Sequence, residues 1–77
     1  MYKEIVEFIS AFGYELEFYD KGQNKERYAS ENGFIDLWDG KKGVTIGIYN
    51  PESKQMCYKR KPTVDWVEKY LESIKEH

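Results

Sequence analysis

Between Phe34 and Lys59 the chain alternates. One set of positions reads Ile35, Leu37, Val44, Ile46, Ile48, Met56 and Tyr58; the other reads Phe34, Asp36, Trp38, Thr45, Gly47, Tyr49, Cys57 and Lys59. Successive side chains of a strand point to opposite sides, so the two sets describe a sheet with unlike faces. The first set is aliphatic and suits a core. The second mixes Phe34, Trp38 and Tyr49 with charge and a glycine. A face that met only water would not need those rings.

Turn chemistry divides this run. Asn32-Gly33 suits a type I′ hairpin, which needs positive φ at both central residues. Residues 39–43 turn the chain again, and Asn50-Pro51-Glu52-Ser53 reads as a type I turn with Pro at its second position. Strands are therefore expected at 34–38, 44–49 and 54–60. Upstream, Tyr14, Leu16 and Phe18 alternate with Glu15, Glu17 and Tyr19, which predicts a strand with its carboxylates away from the core. A turn at 20–24 leads to a weaker strand at 25–30.

The ends read differently. Ile5, Phe8, Ile9 and Phe12 recur at helical spacing, and Gly13 follows as a helix-ending glycine, so a helix is expected over 2–12. Val64, Val67, Leu71 and Ile74 form a second stripe, flanked by Trp66 and Tyr70 and opened by Pro62 and Thr63, with Thr63 as the cap. The strand connections are short enough to join only antiparallel neighbours. The order α-β-β-β-β-β-α predicts one α+β domain over 1–77. It is a two-layer sandwich: an antiparallel five-stranded meander with both helices on the aliphatic face and the other face open.

Pairing about Asn32-Gly33 would set Glu31 opposite Phe34, Ala29 opposite Asp36 and Arg27 opposite Trp38, where the guanidinium could lie on the indole. Gly47 would leave a shallow depression among Phe34, Trp38 and Tyr49. The turn at 40–43 and the end of the fifth strand share one edge of a meander. Lys41 and Lys42 should therefore gather with Lys59, Arg60 and Lys61 as a basic pole, opposite an end holding Glu31, Asn32 and Glu52.

Composition narrows the chemistry. Among 77 residues there are seven Tyr, four Phe and two Trp, so packing has large side chains to work with. The single cysteine excludes an intrachain disulfide. With one histidine, at the last position, there is no Cys/His zinc set, and no metal or cofactor is expected. A lone thiol suits a reducing compartment, no apolar stretch is long enough for a bilayer, and the N-terminal run carries acids where a secretion signal would be apolar. These point to the cytoplasm and to no membrane partner. The net charge of −2 argues weakly against binding driven by phosphates alone.

No catalytic set emerges. Cys57 would need a base within hydrogen-bond reach, Asp36 and the Glu15/Glu17 pair read as solvated charges, and Gly40-Lys41-Lys42-Gly43 lacks a phosphate loop's spacing and following helix. The expectation is a non-enzymatic protein-binding module, an inhibitor or adaptor. Phe34, Trp38 and Tyr49 would be its anchors, with Arg27, Asp36 and Lys59 around them, and a symmetric dimer through the same face is a variant. The alternative is a single- or double-stranded nucleic-acid binder that stacks bases on Trp38 and Tyr49 and sets Lys41, Lys42, Lys59, Arg60 and Lys61 on phosphates. Asp36, Glu15 and Glu17 would repel a phosphate backbone, which places that reading second.

The order of helix, antiparallel sheet and helix resembles that of double-stranded RNA-binding domains. Those domains present a lysine-rich helix start to RNA, whereas here Lys61-Pro62-Thr63-Val64-Asp65-Trp66 brings an acid into the first turn. The resemblance ends at element order, and no function follows from it. The Lys/Glu/Tyr-rich composition without a catalytic set is similar to that of phage and mobile-element inhibitors.

Overall fold

A computed structural model of the chain describes residues 2–31 and 33–75. Helix α1 (Tyr2–Phe12) is followed by strands β1 (Glu15–Asp20), β2 (Lys25–Ser30), β3 (Gly33–Gly40), β4 (Gly43–Asn50) and β5 (Gln55–Arg60), and by helix α2 (Val64–Lys75). Each strand pairs antiparallel with the next, in the spatial order β1-β2-β3-β4-β5. The fold is the expected α+β meander with a helix at each end.

One apolar cluster joins the two layers. Ile5 and Ile9 of α1 and Val67 and Leu71 of α2 lie against Tyr28, Ile35, Leu37, Val44, Ile46 and Ile48 of the sheet. Burying one such aliphatic side chain contributes about 1.5–3 kcal/mol, so this layer dominates stability. The helix ends follow from their residues. Gly13, at φ 115, lets the Tyr14 and Gly13 N–H groups turn back to the carbonyls of Ile9 (3.0 Å) and Ser10 (3.1 Å), closing α1 in a Schellman motif. Thr63 Oγ1 accepts from the Trp66 N–H at 3.0 Å and caps α2.

Two hairpin loops share one design. Asp20 pairs with Lys25 and Asn50 with Gln55, each across four residues, and the last loop residue is left-handed in both: Asn24 at φ 52 and Lys54 at φ 60. The last residue of the strand before each loop supplies a carboxylate or amide oxygen to it. Asp20 Oδ1 accepts from the Gln23 N–H at 3.3 Å, and Asn50 Oδ1 from the Glu52 N–H at 2.9 Å.

Loop and bulge geometry overturns three expectations about where side chains lie or what they pair with. The β4–β5 loop takes Lys54 as a fourth residue, its N–H bonded to the Asn50 carbonyl at 2.7 Å, so β5 starts at Gln55 rather than 54. That single residue inverts the strand. Met56 now pairs with Tyr49 and Tyr58 with Gly47 on the outer face, while Cys57 and Lys59 pair with Ile48 and Ile46 on the helix face. The β2–β3 hairpin pairs Ser30 with Gly33, so Arg27 faces Asp36 and Lys25 faces Trp38. Arg27 over Trp38, Ala29 opposite Asp36 and Glu31 opposite Phe34 are not formed. The role foreseen for Asn32 falls outside the described residues, as does the position of His77. Finally, β1 is irregular between Leu16 and Phe18, and the extra residue turns Phe18 outward, opposite Arg27, and Tyr19 to the helix side, opposite Glu26.

Candidate functional site on the outer sheet face

With these registers the outer face resolves into three cross-strand lines. The central one is Phe18, Arg27, Asp36, Gly47 and Tyr58, one residue from each strand. On one side run Lys25, Trp38, Thr45 and Arg60. On the other run Ala29, Phe34, Tyr49 and Met56. Both helices lie on the opposite face, so no described element covers these lines.

Asp36 is the electrostatic centre. It is only 3% exposed although it faces outward. Arg27 grips it bidentately, Nε to Oδ1 at 2.7 Å and Nη2 to Oδ2 at 2.9 Å, and Lys25 Nζ lies 3.6 Å from Oδ2. Such paired charge-assisted bonds fix geometry as well as energy. The hydrogen bond to Asp36 holds the Arg27 guanidinium's pKa above its ordinary value, with the charge of Glu17 adding to the effect. Asp36 is therefore the counter-ion of Arg27 and Lys25 on this face.

The rings cover these cations. The Arg27 guanidinium carbon lies 4.1 Å from the Phe34 ring centroid and 5.3 Å from that of Phe18. Phe34 also stacks on Tyr49, with centroids 5.0 Å apart and planes at 11°. Lys25 Nζ lies over Trp38 at 5.7 Å, and Tyr58 tilts against the same indole at 6.0 Å. Phe18, Arg27, Phe34 and Tyr49 thus form a continuous row across the sheet, with the guanidinium between the two phenyl rings and Tyr49 stacked beyond.

The depression foreseen at Gly47 is filled. A Cβ there would lie 2.8 Å from Tyr58 Cε1 and 3.0 Å from Met56 Cε, so the glycine is what allows both β5 side chains to lie across the sheet. The filling comes from the inverted strand that removes Lys59 from this face. Lys59 Nζ instead lies 5.8 Å over the Trp66 ring, which stacks on Tyr70 at 5.4 Å. Cys57 is next to Tyr70, whose phenol is raised above its usual pKa, chiefly by burial and further by Cys57.

The basic pole does assemble, without Lys59. Lys41, Lys42, Arg60 and Lys61 surround a hollow of about 260 Å³ that Trp38 and Thr45 also line. Glu15 and Glu17 are exposed on the edge strand β1. Phe18, Lys25, Met56 and Tyr58 join the face although the sequence reading missed their roles. For Lys25 the clue was legible, because placing Tyr28 in the core forces Lys25 and Arg27 outward together. For the other three, one bulge and one loop residue decided the matter.

Among the described residues, no group of three or more His, Cys, Asp or Glu side chains could hold a metal ion, and no helix is long and apolar enough to cross a membrane. Comparison with protein-family models, curated proteins and solved structures finds no match to the chain.

Proposed function

We propose that the chain is a small non-enzymatic protein-binding module, an inhibitor or adaptor of the cytoplasm, that docks a partner on its outer sheet face. Phe34, Trp38 and Tyr49 are the anchors, extended by Phe18 and Tyr58. The observation that carries this reading is the stacked line of rings and cations. Aromatic side chains held in place by neighbours lose little entropy on binding, and such rings dominate interface energetics. Tyr58 at 61% exposure and Phe18 at 42% leave substantial apolar surface at the ends of the line. A symmetric dimer through the same face is the variant of this reading.

Single-strand nucleic-acid binding is the second reading, favoured by the unpaired cations beside Trp38. The burial of Asp36 under Arg27 and Lys25 removes one repulsion that counted against it. Against it stands the use of one of the two rings: stacking a base requires an open π-face, and Tyr49 is already stacked on Phe34.

The test is a Trp38→Ser, Tyr49→Ser double variant, checked for cooperative unfolding and then compared with the native chain in affinity purification from the source cell. A co-purifying protein lost with the variant supports the reading. Identical recovery by both chains sinks it. Sedimentation at several concentrations addresses the dimer, and a mobility-shift assay at low salt addresses nucleic acid.

A further inference from the structure

We infer that the hollow at the β3–β4 turn is an anion subsite of the outer face, and that it receives the carboxylates of an acidic segment on a partner protein. This rests on the reading of the outer face as a protein-docking surface and names the chemistry of the partner.

Several independent features meet here. Gly40 pairs with Gly43, leaving Lys41 and Lys42 as a two-residue loop at the rim. Arg60 pairs with Thr45 and so lies on the same side as Trp38. Lys61 is held in place: its φ is 50, its N–H donates to the Val44 carbonyl at 2.7 Å, and its stem crosses Gly43, where a Cβ would lie 3.3 Å from its Cγ. Among the described residues, none of these four cations is ion-paired. The acids of β3 are unsuited to neutralise them. Asp36 is bound by Arg27 and Lys25, and Asp39 pairs with Val44 on the opposite, helix-facing side. Four like charges around one hollow repel one another, and an incoming anion relieves that repulsion.

The choice of occupant follows from charge complementarity across the whole face. Cations gather at this end, whereas Glu15 and Glu31 line the opposite end, beside Ala29 and Ser30. A phosphodiester strand crossing the face would pass from cations to carboxylates. A protein needs carboxylates only where it meets the hollow, with an apolar side chain next to them for Trp38 and Tyr58.

The decisive experiment is an amide NMR titration at low ionic strength, where exposed charges are least screened. The probes are a short peptide of glutamates around one phenylalanine, its lysine-for-glutamate counterpart, and a mixed-sequence single-stranded oligonucleotide of matching charge. The acidic peptide is expected to move the amides of residues 40–45 and 60–61. It should bind a Lys41→Glu, Lys42→Glu variant at least about tenfold more weakly, since close charge pairs set such affinities. Equal affinity for the variant overturns the inference, as does absence of shifts, or tighter binding by the oligonucleotide through the same amides. Capture of the native partner separates this from the underlying reading. A partner lost with Trp38→Ser, Tyr49→Ser but kept by the lysine variant leaves docking intact and removes only the anion subsite. A partner kept by both removes the docking reading itself.

Discussion

Asp36 shows how one residue can set the character of a face. A carboxylate 3% exposed on the outer side of a sheet is costly unless it is paired, and Arg27 with Lys25 supplies the pairing. Asp36→Ala should destabilise the fold by about 3 kcal/mol, because two partly covered cations lose their counter-ion. Urea denaturation at neutral pH measures it, and a cost within experimental error would show that solvent serves the cations equally well. On the other face, Tyr28 donates to Glu26 Oε1 at 3.1 Å, and Tyr2 donates to the same oxygen. Burial, with Glu26 as hydrogen-bond partner and nearby charge, pushes the Tyr28 phenol up to about 12. The folded state then keeps a proton that the unfolded chain gives up near pH 10. The stability from this group is complete below about pH 10 and is lost as the pH rises to about 12. Tyr28→Phe should flatten that alkaline decline while lowering stability at neutral pH, where its hydrogen bond is lost. An unchanged alkaline slope in denaturation curves would contradict this assignment.

At the scale of elements, loops decide which side chains a strand shows. Lys54 occupies a left-handed conformation that costs an L-residue about 1–2 kcal/mol and a glycine much less. Lys54→Gly should therefore stabilise the chain by up to about 1 kcal/mol, less what the glycine adds to unfolded-chain entropy, with the β5 pairing unchanged. A rise in midpoint temperature checks the sign; a fall would mean that the Lys54 side chain contributes more than its backbone costs. The bulge in β1 acts in the same way. By turning Phe18 outward it completes the cover over Arg27, and it bends an edge strand that could otherwise pair with another chain. Neither device leaves a hydrophobic signature, because alternation continues through both.

At the scale of the molecule, the sheet has a firm middle and lighter edges. Ile35 and Leu37 of β3 and Ile46 and Ile48 of β4 are fully buried, whereas Leu16 and Tyr19 of β1 are more than half exposed on the side where the helices pack. Local opening should begin at β1, and the slowest amide exchange should fall in β3 and β4. Native-state hydrogen exchange tests this; protection of β1 equal to that of β3 would show that the outer stack, not the core, carries the edge. Charge divides along the other axis, with cations around the β3–β4 turn and Glu15 and Glu31 at the far end.

The amino-acid sequence alone determined the element order, the two helix stripes, the cap at Thr63, the Gly13 helix end and the aliphatic side of β3 and β4. All of these rest on periodicities and turn residues that act over a few positions. It also placed Phe34, Trp38 and Tyr49 on one face and brought Lys41, Lys42, Arg60 and Lys61 to one edge. Tertiary structure decided the rest of the outer face. The faces of β5 depended on one loop residue, and the partner of Arg27 on a hairpin register whose alternatives keep the same inside-outside pattern. The exposure of Phe18 depended on a bulge. The pattern of side chains along a strand repeats every two residues, so it cannot distinguish pairings shifted by two, nor reveal an extra residue at a turn. Loop backbone geometry and the need to pair Asp36 resolve what that repeat leaves open.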